Sequence, residues 1–327
     1  MKFLGKSLVA VSLLSLAGGV GWASRSLTSP SVRPFSGLLL KPGKGSPDLN
    51  VRFFGTSTIS FDDGTTAIME DGFFSRPGIW TVLTSKIAPN EQRIDDSLRK
   101  GAIHHLAAIF VAHSHYDHVL DTGLVALKTG ATVLGTSSTA NAVMGAGLPV
   151  DRIRVIKDGD TFSYGRFKVT AFETPHSPHP SSVGVIDHPV HTPAKEGDFK
   201  VGGNFSYLIE HDRRRILIIA SGNYLPGKFR NVRADVVFLG IGTLGQQTDR
   251  FIQDYWRETV QQTGAKLVIP IHWDSFFEPL DEPLIALPRQ MDSFPKSMKM
   301  LIQLARHDGV KLRLPVPYAP IDLGPTP

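Results

Sequence analysis

A chain of 327 residues with 41% hydrophobic and 20% charged side chains can bury a globular core, which excludes collagen-like and disordered classes. Its 35 basic against 30 acidic side chains leave a formal charge of +5, too small and dispersed to argue for a nucleic-acid partner. Cysteine is absent, so disulfides and thiolate metal ligands are excluded and stability must come from the core.

Lys2 and Lys6 precede an apolar run over 8–17 and a small-residue stretch ending in Gly21-Trp22-Ala23. That is the layout of a secretory signal peptide cut after Ala23. The alternative is an uncleaved membrane anchor, for which 8–23 is short. On either reading residues 1–23 direct export to the periplasm or cell envelope, and membrane attachment, if retained, is made through this segment. Residues 24–50, rich in Ser, Pro and Gly, read as a linker or a leader packed on the domain surface, and 51–327 as one catalytic domain.

Three short strands are expected first, over 51–54, 58–61 and 66–70, with a turn at Asp62-Asp63-Gly64. A charged helix over 92–100 precedes a fully apolar strand over 107–111. Helices over 117–128 and 137–146 then flank a strand over 132–134, and strands over 154–156 and 167–173 follow. The second half repeats the plan with strands over 205–210, 216–220, 236–239 and 267–271 and helices over 248–263 and 296–307. Between two of these strands Arg213-Arg214-Arg215 reads as a solvated hairpin turn. Strands grouped at the start of each half, with helices among the later ones, suggest two sheets packed face to face with helices outside, an α/β architecture.

His113-x-His115-x-Asp117-His118 places three imidazoles and a carboxylate within six residues, directly after the apolar strand. Alternate residues of an extended loop point the same way, so His113 and His115 can grip one ion, while the turn into a helix redirects Asp117 and His118 towards a second. Neutral imidazoles with a carboxylate suit zinc, with iron and manganese as alternatives. His176 and His272 follow the strands over 167–173 and 267–271, where an active site at a sheet edge gathers ligands. His179 is an alternative ligand near His176, whereas His104, His105, His188 and His191 read as ordinary loop histidines.

On these residues the chain resembles the metallo-β-lactamase superfamily over 51–313. The resemblance implies an αββα four-layer sandwich with one or two zinc ions per chain. It implies His113, His115 and His176 around the first ion and Asp117, His118 and His272 around the second. Asp71 in Met69-Glu70-Asp71-Gly72 matches the family's aspartate that orients ligands without binding metal. One position departs from the pattern: the family's bridging aspartate is replaced by Asn223 in Ala220-Ser221-Gly222-Asn223. An amide oxygen ligates weakly and brings no charge, so Asn223 makes the second ion uncertain, with Glu173 or Asp187 as substitutes for the bridge.

The implied activity is that of an exported hydrolase using a metal-bound hydroxide on an ester, lactone or phosphodiester bond, with Asp117 orienting the hydroxide or taking its proton. Its substrate is expected to be a small molecule or lipid-like. The turn at 55–58 and the segment 71–75 look similar to the ascorbate-phosphate lactonase and N-acylphosphatidylethanolamine phospholipase D-like branch. Phe73, Phe74, Trp80, Trp273, Phe276 and Phe277 are expected to line an apolar pocket for an acyl or lipid-like substrate, to pack in the core or to form a lid. The alternatives are a β-lactamase, a mononuclear iron oxidoreductase and a metal-binding protein that has lost catalysis.

Overall fold

The computed structural model describes residues 28–41, 43, 48–178, 181–281 and 283–324. The reading of an N-terminal signal or anchor falls on residues 1–23, outside the described residues. Among the described residues no helix is long and apolar enough to cross a membrane.

Among the described residues thirteen strands form two sheets. The first holds β1 (Asn50–Phe53), β2 (Ile59–Asp62), β3 (Ala67–Glu70), β4 (Ala108–Phe110), β5 (Thr132–Gly135) and β6 (Ile153–Val155) in sequence order. The second holds β7 (Thr161–Tyr164), β8 (Phe167–Glu173), β9 (Phe205–His211), β10 (Arg214–Ile219), β11 (Val236–Gly240), β12 (Leu267–Ile271) and β13 (Lys311–Leu312), also in order. Each sheet starts with antiparallel pairs and ends with parallel ones, as β3–β4–β5–β6 and β10–β11–β12–β13. Sequence composition follows that change. The antiparallel β8 alternates buried and more open positions, whereas the parallel β11 and β12 read Val-Val-Phe-Leu-Gly and Leu-Val-Ile-Pro-Ile and are buried throughout.

Three packed clusters make the four-layer sandwich. Val51, Phe61, Phe110, Val169, Ile218 and Phe238 belong to the core between the sheets. Outside the first sheet lie the helices Glu91–Lys100, Thr122–Thr129 and Ser137–Gly145, and outside the second lie Asp249–Trp256 and Phe294–Asp308. Gly309, with φ +65°, ends the last of these in the left-handed conformation that favours glycine. The αββα class expected from the sequence is the class observed.

Several local expectations change. The helix expected over 248–263 relaxes into a π-helical turn at Arg257–Gln261. Arg214 is not solvated: it is buried and donates to the carbonyls of Leu323 and Gly324, so the exposed turn shrinks to Asp212-Arg213. The 3-10 helix Arg33–Leu38 sets Phe35 edge-on against Phe294 at 5.3 Å, packing this stretch of 24–50 on the domain. The helix Ile79–Thr84 and the strands β7 and β13 were not expected.

Candidate metal centre

Strands β3, β4, β8, β10, β11 and β12 all end at one edge of the sandwich, where their following loops converge. After β4 the chain runs extended, then His115 accepts at its carbonyl from the amides of His118 and Val119 and opens the helix Tyr116–Val119. The single helix expected over 117–128 is broken before Thr122. Asp121 sits at the break, its carboxylate accepting from the amides of Phe74 (2.7 Å) and Ser75 (2.6 Å) and from Ser75 Oγ (2.6 Å). A tertiary demand therefore shapes the helix here.

Two groups of donors result: His113, His115 and His176, and Asp117, His118 and His272, each group with ligand atoms within 4.8 Å of one another. His113 Nε2 lies 3.1 Å from His115 Nδ1, and His176 closes the first group with ring centroids at 4.5 Å from His113 and 4.8 Å from His115. In the second group His118 Nε2 lies 3.1 Å from His272 Nε2, which is 3.3 Å from Asp117 Oδ2. Both groups draw on both sheets, since His176 follows β8 and His272 follows β12.

Asp71 is fully buried beside this centre. Its Oδ1 accepts from the amide of Ala112 (2.9 Å), and its Oδ2 from Ser57 Oγ and His118 Nδ1 (2.8 Å). Committing Nδ1 of His118 to the carboxylate leaves Nε2 as a lone pair aimed at His272 and Asp117. Asp71 and His272 both hold left-handed backbone, at φ +62° and +58°. The strain of such a turn persists only where the surroundings fix it, here partly through the 2.7 Å bond from the His272 amide to the Thr56 carbonyl. Gly242 makes room: a Cβ there would lie 2.8 Å from the His272 carbonyl oxygen.

Electrostatics keep the first donor group in ligand form. Burial, reinforced by neighbouring imidazoles, holds His113 well below the usual histidine range, His115 at about 4 and His176 at about 3. For His118 burial acts downwards, but the carboxylates of Asp71 and Asp117 outweigh it and raise the pKa. Burial acts upwards on Asp117, and His118 and His272 override it and hold the carboxyl below its ordinary value. Imidazoles and one ionised carboxylate make a donor set that fits a divalent cation of the zinc type. Among the described residues the buried Nδ1 atoms of His113 and His272 have no hydrogen-bond partner, unlike Nδ1 of His118.

Asn223 has another task. Its Nδ2 donates to the His176 carbonyl (2.7 Å) and its Oδ1 accepts from the Tyr224 amide (2.8 Å), while the Gly222 amide donates to Ser177 Oγ (3.0 Å). The turn after β10 thus holds the His176 loop in place, and the amide is engaged with backbone instead of facing the donors. Glu173 and Asp187, the substitutes for a bridge, are exposed. His104, His105, His188 and His191 are exposed as well, and His179 lies outside the described residues.

Five of the six donors, all but the fully buried His118, line a cleft of about 440 Å³. Of the aromatic residues expected there, Phe276 and Phe277 line it. Phe73 and Phe74 are buried in the core of the first helix layer, Trp273 stacks on Phe294 at 5.1 Å, and Trp80 is exposed without lining the cleft. Sequence reasoning missed Ile79, Val82 and Leu83 of the unexpected helix, and Glu196. It also missed an ion pair beneath the site between Arg76 and Asp274, both fully withdrawn from solvent, with Asp274 accepting from the Thr56 amide (3.0 Å). Asp274 lies two residues beyond a candidate ligand, which was the only available signal.

A family model described as a beta-lactamase superfamily domain matches residues 84–273, more than half of the chain. The chain belongs to that superfamily. Among its relatives, a metal-dependent hydrolase from an Exiguobacterium species is 27% identical over 236 residues, covering 70% of this chain and 87% of that one. Another from Chloroflexus aurantiacus is 34% identical over 177 residues, 52% of this chain and 65% of the relative. A solved metallo hydrolase from the archaeon Ignicoccus hospitalis superposes with a TM-score of 0.51 at 13% identity, covering 84% of this chain and 97% of that one, and shows the shared fold. This member of the beta-lactamase superfamily is a metal-dependent hydrolase, and its candidate ligands are the two histidine and aspartate groups.

Proposed function

We propose that the protein is an exported hydrolase that cleaves an ester, lactone or phosphodiester bond with one or two zinc ions held by His113, His115 and His176 and by Asp117, His118 and His272. The convergence of two three-residue donor groups at one cleft, which five of the six residues line, carries this reading. A zinc ion in such a site lowers the pKa of water to about 7 and polarises the oxygen under attack. Asp117, with its depressed pKa, is a weak base and serves better to orient the attacking water by accepting its hydrogen bond. Asp71 fixes His118, and Asn223 fixes the loop bearing His176. Export rests on the signal-like layout of residues 1–23.

Elemental analysis of the purified protein, followed by assay of the chelated and zinc-reloaded forms on an ester, lactone and phosphodiester panel, tests this. One or two zinc ions per chain with zinc-dependent turnover is the expected result. Zinc binding without turnover on any of the three bond types would overturn it.

A further inference from the structure

The cleft above the donors has an uneven chemistry. Ile79, Val82 and Leu83 come to it from the short helix, and Phe276, Phe277 and Met291 from the segment after β12. Among the described residues no lysine or arginine lines it, and apart from the candidate donors its one charged side chain is Glu196. The Glu196 carboxylate is held in place by Ser182 Oγ at 2.6 Å. Lys86 and Lys195 line an adjoining hollow on the far side of Val82, Leu83 and Glu196, which both hollows share, and Arg76 is buried in its pair with Asp274.

Bond types differ in what they ask of such walls. A phosphodiester carries a full negative charge on entry, and its non-bridging oxygens seek cationic or N–H donors around them. Tyr116, Thr243 and Gln290 offer neutral hydroxyl and amide donors, but apolar side chains and a carboxylate make up the rest of the walls and supply no cation, so desolvating the anion against them is unfavourable. A carboxylic ester or lactone enters uncharged and develops negative charge only on attack, at the carbonyl next to the donors. An alkyl chain attached to that carbonyl gains by leaving water for the walls.

We infer that the substrates are uncharged carboxylic esters or lactones bearing an apolar acyl chain, which the side chains of Leu83, Phe277 and Met291 select. This rests on the proposed hydrolytic reading of the site and narrows it. In the reaction the oxygen of water bonds to the carbonyl carbon and the acyl carbon–oxygen bond breaks. One proton of the water passes to the leaving alkoxide, and the acid formed releases the other at neutral pH. A lactone yields a single hydroxy acid.

The test uses the zinc-loaded full chain with p-nitrophenyl esters from acetate to octanoate, alkyl-substituted lactones and bis(p-nitrophenyl) phosphate. The expected result is a kcat/KM that rises about four-fold per added methylene, with the phosphodiester slower than every ester from butyrate upward. Leu83 is 65% exposed, so Leu83→Ser is not expected to disturb folding. This variant should lower the octanoate-to-acetate ratio of kcat/KM by about five-fold. A flat chain-length profile, an unchanged ratio in Leu83→Ser, or faster turnover of the phosphodiester than of octanoate would overturn the inference while leaving the hydrolytic centre intact. Failure of the zinc-loaded protein on all three panels would overturn the underlying reading as well.

Discussion

Nδ1 of His118 lies 2.8 Å from Oδ2 of Asp71, and both side chains are closed off from solvent. The carboxylate orients the ring and makes its other nitrogen more basic. Asp71→Asn keeps the size of the side chain and tolerates the left-handed backbone, but removes the charge. Zinc affinity, measured by chelator competition, should fall about ten-fold or more. Unchanged affinity would show that Asp71 has a structural role alone.

His115→Ala removes one member of the first donor group, and hydrolysis by the purified variant should fall to background. Asn223→Asp replaces an amide that donates to the His176 carbonyl with a carboxylate that cannot. Repulsion should turn the new carboxylate away from that carbonyl and towards the donors. The expected outcome is a higher zinc-to-protein ratio, read by elemental analysis. An unchanged ratio would show that this position does not bridge.

Removing one member of the buried Arg76–Asp274 pair should cost more than removing both. Asp274→Ala leaves a guanidinium uncompensated in the interior, an effect of about 3–5 kcal/mol. The double variant Arg76→Met with Asp274→Leu should lose much less, and denaturant unfolding of the three proteins compares them directly. Equal losses in the single and double variants would show that packing, and not the charge, is what matters.

Asp292 gives a pH signature. Burial raises its pKa to about 7, although its Oδ1 accepts from the Gly245 amide at 2.9 Å. Below the unfolded value of 3.8 neither state is ionised, so the site costs nothing there. As pH rises towards 7 the unfolded chain ionises first, and the folded state loses stability relative to it. Asp292→Asn should therefore melt close to the parent near pH 4, and increasingly above it up to about pH 7, with a constant difference beyond. A difference that did not vary with pH would contradict this.

The parts of the site legible in the sequence were those set by spacing along one loop or by the end of one apolar strand. His113, His115, Asp117 and His118 lie in six consecutive positions, and His176 and His272 each follow a strand whose composition announces it. What escaped depends on contacts between distant segments. Ile79–Thr84 is one and a half turns long, holds two threonines and a valine, and ends without a side-chain cap, so local propensity does not mark it. The break between Val119 and Thr122 is set by Asp121 reaching to Phe74 and Ser75, some 46 residues earlier in the chain. Aromatic residues near a ligand are equally ambiguous. Trp273 and Phe276 both follow His272, yet one ring turns into the helix layer and the other into the cleft. Asn223 could be located as a departure, but its partner, a backbone carbonyl after β8, has no sequence signature.

Each donor group takes members from both sheets, and this gives a bound ion a mechanical role in a chain that has no cysteine. An ion held by His113, His115 and His176, or by Asp117, His118 and His272, would fasten the edge of one sheet to the edge of the other, as a disulfide fastens distant segments of a chain. Stripping it would withdraw a cross-link along with the catalyst. The apoprotein should then be cut by proteases first in the loops after β4, β8 and β12, while the apolar seam between the sheets still resists.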